Sequence, residues 1–139
     1  MHELAARLIK LGVKLPKTKT TLNMYVNDAI GFKMEVEQPL KYSNNCFGHC
    51  DAICFRNNVL RIHDLKTGET QAHMEQLCIY TALFCLEYEI DPNDISIELR
   101  IYQRNDVLIC EPTADEIIFI MDLIRHDDEI IESLKGEAE

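Results

Sequence analysis

An α/β fold, with a central mixed β-sheet and helices on both of its faces, is what this sequence predicts. Three features of the 139 residues lead there. Helical and strand-like periodicities alternate in the order helix, strand, hairpin, helix, strands, helix. Two pairs of apolar runs each meet at a two-residue polar link, Asn57-Asn58 and Arg104-Asn105. The chain is also long enough for one domain with a substantial core, and residues 1–139 are read as that domain.

Taken in order, residues 2–12 predict a helix with Leu4, Ala5, Leu8 and Ile9 on one face. Lys14 to Thr20, which contains Pro16, is a connector. Thr21 is placed to cap a second helix through Ala29, and Gly31 ends it. Phe32, Met34 and Val36 alternate with Lys33, Glu35 and Glu37, the pattern of a half-buried strand. Cys46 to Arg56 and Val59 to Leu65 form the first hairpin. Gln71 to Tyr88 predicts a long apolar helix that stops before Asp91-Pro92. Ile95 to Gln103 and Val107 to Cys110 form the second hairpin. Thr113 and Glu116 have the spacing of a capping box, opening a last helix that runs to about Leu134.

The first hairpin carries the chemistry. Asparagine tolerates the positive φ angles of a tight turn, so Asn57-Asn58 serves as a two-residue loop. That loop pairs Arg56 with Val59, Phe55 with Leu60, Ile53 with Ile62 and Asp51 with Asp64. Like charges opposite each other destabilise a sheet. A divalent cation bound between the two carboxylates would offset that cost. Side chains alternate along a strand, which puts Asp64 and Lys66 on one face. Two carboxylates and an ammonium group on one face are the equipment for cutting a phosphodiester bond. The plainer alternative is an exposed hairpin whose charges are solvated. In the same register His49 faces Lys66, and His63 points to the opposite face as a structural residue.

Composition narrows the classes. No apolar run reaches the length of a membrane span, and the N-terminus lacks a secretory signal pattern, so a cytosol is expected. The six cysteines (46, 50, 54, 78, 85 and 110) form no Cys-x-x-Cys knuckle. Most are read as small buried hydrophobes. The net charge of −10 is not the basic footprint of a simple nucleic-acid binder. Much of the acid is local, in Asp127-Asp128-Glu129, Glu132, Glu137 and Glu139. Lys14, Lys17 and Lys19 either track a phosphate backbone or belong to a solvated linker.

Three motifs occur in order: Gly48-His49-Cys50-Asp51, then Asp64-Leu65-Lys66-Thr67-Gly68, then Gln76-Leu77-Cys78-Ile79-Tyr80. Together they resemble the PD-(D/E)xK nuclease superfamily, closest to its RecB-like and phage exonuclease branch. The opening His2-Glu3-Leu4-Ala5-Ala6-Arg7-Leu8 is similar to that branch's first motif, in which a histidine often binds metal. The resemblance spans roughly residues 2–90. The iron–sulfur cysteine pattern of many relatives is not reproduced.

The resemblance implies a restriction-endonuclease-like core and a metal-dependent deoxyribonuclease, an exonuclease of the phage recombination and repair type. It implies Asp51, Asp64, the Leu65 carbonyl and His2 as ligands to Mg²⁺ or Mn²⁺. Lys66 would orient or deprotonate the attacking water, and Gln76 and Tyr80 would position Lys66 or the DNA strand. Glu3 is an alternative acid or a first-turn residue favouring the helix dipole, Glu35 and Glu37 are solvent-exposed by default with one approaching the metal if their strand neighbours the hairpin, and His73 is either a DNA contact or a solvated helix residue. DNA is the implied partner, with a strand-annealing protein and a ring of identical subunits as further candidates. The rival expectation is a DNA- or protein-binding module that keeps the fold and does not cut, which the acidic composition favours.

Overall fold

The computed structural model describes residues 1–138. Helices α1 (His2–Leu11) and α2 (Thr21–Gly31) come first, followed by strands β1 (Glu35–Lys41), β2 (Phe47–Arg56) and β3 (Val59–Leu65). Then come α3 (Glu75–Glu87), a 3-10 turn at Pro92–Asp94, β4 (Ser96–Gln103), β5 (Asp106–Cys110) and α4 (Ala114–Ala138). The five strands form one mixed sheet in the order β1-β2-β3-β4-β5. Only β3 and β4 run parallel, with α3 in the crossover between them.

Both tight turns form where the two-residue links stand. Asn57 and Asn58 have φ of 52° and 60°, and Arg104 and Asn105 have 53° and 59°. Paired positive φ angles match the twist of the flanking strands. The β2–β3 register therefore has Arg56 opposite Val59, Phe55 opposite Leu60 and Ile53 opposite Ile62.

The sheet separates two cores. On one face, Leu60, Ile62, Leu99 and Ile101 pack with Leu77, Leu83 and Cys85 of α3. Ile117, Met121 and Ile124 of α4, spaced at four and three residues, join the same layer. On the other face, Ala52, Leu65 and Tyr102 meet Ala5 and Ile9 of α1 and Tyr25, Val26 and Ala29 of α2. Filling both faces is what stabilises a mixed sheet with a parallel pair.

The second face also holds a polar network. Glu98 accepts hydrogen bonds from Arg61 at 2.5 Å and from Arg100 at 2.9 Å. Asp28 accepts from the Tyr102 hydroxyl at 2.6 Å and from Arg100 at 3.3 Å. The Phe32 ring lies 4.2 Å from the Arg61 guanidinium carbon and stacks edge-on against His63.

Several elements depart from expectation. The first strand is Glu35–Lys41 rather than 32–37, because Lys33 turns with φ 54° and Phe32 covers the arginines instead of extending a strand. α3 begins at Glu75, four residues after Gln71, because Gln103 ties down the preceding segment. Thr20, not Thr21, precedes the first turn of α2, and the Thr21 side chain bonds to Asn105 of the β4–β5 turn. α1 buries Ala6 where Leu4 was expected, leaving Leu4 exposed. All six cysteines are free thiols, but only Cys50 and Cys85 are fully buried. Thr113 does open α4, accepting a hydrogen bond from the Glu116 N–H at 3.2 Å.

Candidate active site

The end of β3 brings the motif residues together. The β2–β3 ladder closes at Ala52–His63. One step further along the same register stand Asp51 and Asp64. The Leu65 N–H donates to Asp51 Oδ2 at 2.8 Å, so the carboxylate takes the place of a ladder carbonyl. The Lys66 N–H in turn donates to the Tyr102 carbonyl at 2.9 Å, and β4 thereby fixes the backbone beneath the lysine.

Asp64 is 5% exposed. Burial first, and then the negative charge of Asp51, push its carboxyl up to about 6, with Lys66 opposing both. Lys66 Nζ lies 3.0 Å from Asp64 Oδ2. That is ion-pair distance, yet no donor makes a well-directed hydrogen bond to this oxygen. The distance and the missing bond are compatible, because an ammonium can approach a carboxylate off the lone-pair direction.

Lys66 also donates to Gln76 Oε1 at 3.1 Å, tying the lysine to the first turn of α3. Tyr80 stands one turn further along α3. Burial first, then Asp64 and Asp51, raise its hydroxyl above the ordinary tyrosine value. A Cβ at Gly48 would lie 2.8 Å from Tyr80 Cε1, so only glycine lets the strand pass beneath this ring.

His2 reaches the same place from the start of α1. Its Nε2 is 2.5 Å from the Leu65 carbonyl oxygen and 3.6 Å from Asp51 Oδ2. A carbonyl only accepts, so Nε2 carries the proton in this arrangement and braces the two oxygens. The structure thus brings His2, Asp51, Asp64, the Leu65 carbonyl, Lys66, Gln76 and Tyr80 to one end of the sheet.

Other candidates lie apart. His49 pairs with Pro39 of β1 rather than facing Lys66, because the β2–β3 ladder has ended before it. Glu35 is exposed. Glu37 falls between the Val36–Ala52 and Gln38–Cys50 pairs without a ladder partner of its own, has φ 53° and lines a surface hollow with Glu3 and Arg7 of α1. His73 is exposed in the segment before α3. His63 lies on the other face of the sheet, against Phe32 and Tyr102.

Two contributors escaped the sequence reading. Tyr25 of α2 is buried, and desolvation followed by the charges of Asp51 and Asp64 holds its hydroxyl far above the usual range. In the sequence it was only part of an apolar stripe. Gln103, at the end of β4, donates to the Gly68 and Thr70 carbonyls and accepts from the Ala72 N–H, which sets the path between Lys66 and Gln76. No sequence signal marks it, since the contact joins residues more than thirty apart.

As a donor set, the cluster is two carboxylates and a carbonyl. Among the described residues, no group of three or more His, Cys, Asp and Glu side chains forms a ready-made metal cage. Mg²⁺ does not need one, because it is commonly held by one or two carboxylates and keeps several waters or substrate oxygens. Two neighbouring carboxylates, one of them buried with its carboxyl raised, are a donor set that a hard cation fits. Comparison of the chain with protein-family models, with curated proteins and with solved structures gave no match.

Proposed function

We propose that this chain is a Mg²⁺- or Mn²⁺-dependent deoxyribonuclease with a restriction-endonuclease-like core, acting as an exonuclease on DNA ends. One observation carries the reading: Asp64, almost fully buried at the end of β3, has its carboxyl raised by burial and by the neighbouring Asp51 even though Lys66 Nζ stands 3.0 Å away. A cation supplied from solution would remove that electrostatic conflict. The resemblance of the three ordered motifs supports the same assignment.

In this reading the Asp51 and Asp64 carboxylates and the Leu65 carbonyl hold the ion. When bound, it would acidify a water and polarise the scissile phosphate. Lys66 orients that water and offsets charge on the phosphoryl oxygens. Gln76 fixes the lysine through their 3.1 Å hydrogen bond. His2 holds the Leu65 carbonyl, and with the Nε2 proton moved to Nδ1 the same nitrogen can serve as a ligand. Tyr80 forms the wall over which a DNA strand passes. DNA is the partner, joined by a strand-annealing protein or by further copies of the chain. A cytosol is the compartment this requires; among the described residues no helix is long and apolar enough to cross a membrane.

The test is cleavage of end-labelled linear and closed circular DNA with Mg²⁺ or Mn²⁺, beside EDTA and Lys66→Ala controls. The expected result is metal-dependent loss of linear DNA, reduced about 100- to 1,000-fold by Lys66→Ala. Sparing of the circle identifies an exonuclease. No cutting of single- or double-stranded DNA with either metal would instead favour a binding module, the reading that the net charge of −10 supports.

A further inference from the structure

Helices α3 and α4 leave a groove of about 1060 Å³ on the outer surface of the molecule. Leu83, Ile120 and Ile124 line it, and Phe47 and Phe119 stand at 61% and 65% exposure. Single exposed apolar residues are ordinary, but a contiguous apolar groove marks an interaction site. Glu75, Asp115, Glu116 and Asp127 also line it, and no Lys or Arg does. The groove is thus apolar within and acidic around.

The far end of α4 is held in place. Ser43 and Asn45, in the loop between β1 and β2, both donate to Asp128, and Asn45 also donates to Glu132. α3 packs on the sheet along its buried side. Both walls are therefore set by the fold before anything binds, which lowers the ordering cost of association.

We propose that this groove binds a basic amphipathic helix from a partner protein. A channel between two helices accepts a third whose apolar residues recur at i, i+3, i+4 and i+7. The acidic rim selects Lys and Arg on the flanks of that helix and repels acidic competitors. A second copy of this chain is a poor occupant. α4 carries eight Asp and Glu residues against Arg125 and Lys135, and a two-fold contact would set that surface against itself. The groove is lined by Glu75, Cys78, Ile79 and Leu83 of α3, the helix that also carries Gln76 and Tyr80. The proposal does not depend on whether the chain cuts DNA.

Selection of displayed helical peptides on the full chain tests this. The library fixes apolar residues at i, i+3, i+4 and i+7 and randomises the rest. Selected binders should be enriched in Lys and Arg. A selected peptide should bind the Phe119→Ser variant about tenfold more weakly. Its affinity for the Glu75→Gln/Asp127→Asn double variant should fall similarly, with a flatter salt dependence. Phe119 is exposed, so Phe119→Ser should keep the wild-type circular dichroism and melting temperature; the double variant controls for any departure. Recovery of no binder, of neutral or acidic binders, or of binders indifferent to both variants would overturn the proposal. So would light scattering that shows a dimer for the wild type and a monomer for Phe119→Ser, since a second copy would then occupy the groove.

Discussion

His63 and Asp64 are neighbours on β3 that face opposite sides of the sheet, and they resolve burial in opposite ways. Both are nearly inaccessible, at 0% and 5% exposure, and each keeps one polar atom without a hydrogen bond. Around His63, desolvation first and then Arg100 and Arg61 drive the imidazole down to about 3, so it sits neutral and aromatic between Phe32 and Tyr102. The charges nearby are matched within the network of Glu98, Asp28, Arg61 and Arg100. Around Asp64 the balance stays open. Buried Asp64 and half-buried Asp51 share one lysine, and the Asp64 carboxyl stays raised despite the Lys66 ion pair at 3.0 Å. The first face balances its charges within the chain and keeps its unpartnered nitrogen neutral, whereas the second leaves two carboxylates against one lysine, a pattern that clusters at functional sites.

The strongest way to break this contrast is Asp64→Asn. It should reduce metal-dependent DNA cleavage about 1,000-fold or more, by analogy with the loss of a direct electrostatic contribution to the transition state. If Asp64 holds the proposed ion, added Mn²⁺ should raise the melting temperature of the wild type and not that of the variant. Retained cleavage would remove Asp64 from the site. The mirror experiment is Glu98→Ala on the other face, which strands Arg61 beside Phe32 and leaves Arg100 with Asp28 as its acidic partner. It should cost about 2 kcal/mol of stability, less than a fully buried pair would because these side chains are partly exposed. Cleavage per folded molecule should be unchanged below the melting transition, as a denaturant melt paired with an activity assay would reveal.

The pH dependence sharpens the comparison further. Asp64 has a folded pKa of about 6, above its ordinary 3.8, so the native state binds more protons than the unfolded state between those values. Its contribution to stability is present below pH 4 and lost as pH rises to about 6. His63 has a folded pKa of about 3, below its ordinary 6.5, so the unfolded state binds more protons and stability falls as pH drops through that window. In EDTA, Asp64→Asn should match the wild type near pH 4 and become the more stable of the two as pH rises above 6. The advantage should vanish or reverse with saturating Mn²⁺. An equal difference at both pH values would mean that Asp64 titrates normally.

Two smaller perturbations probe the frame of the site. Gly48→Ala should displace the Tyr80 ring and lower cleavage about tenfold, with little effect on metal binding measured by thermal shift. Gln103→Ala should free the Gly68 to Ala72 segment and lower cleavage a few-fold. Faster hydrogen exchange across those residues would accompany it.

What the sequence disclosed follows from the range of the interactions. The turns at Asn57-Asn58 and Arg104-Asn105 are local, and the register of β2 on β3 follows from the first of them. The closeness of Asp51 and Asp64 was therefore legible, although the ladder itself ends one pair short of them, at Ala52–His63, and the Asp51 carboxylate accepts from the Leu65 N–H instead. Three expectations failed where distant residues intervene. Phe32 alternates with Met34 and Val36 as a strand residue would, but Arg61 and Arg100 draw it onto a different surface. Gln71 to Met74 is compatible with helix, but Gln103 claims the Ala72 N–H. His49 was placed opposite Lys66 by extending a ladder that stops at Ala52–His63. Tyr25 looked like any apolar helix residue, and its place behind the two carboxylates depends on how α2 docks.

The parallel pairing of β3 with β4 has a consequence for the order in which the site is assembled during folding. Asp51 and Asp64 come together when a hairpin with a two-residue turn closes, an event of microseconds. The lysine arrives differently. Its backbone is anchored to Tyr102, thirty-six residues away, with the whole of α3 in the intervening loop. Such non-local pairing is slow, because loop closure comes before any contact rewards it. A chain caught midway would hold two opposed carboxylates with no lysine fixed beside them. Competence to cut should therefore appear late in refolding, in step with the β3–β4 pair rather than with the hairpin.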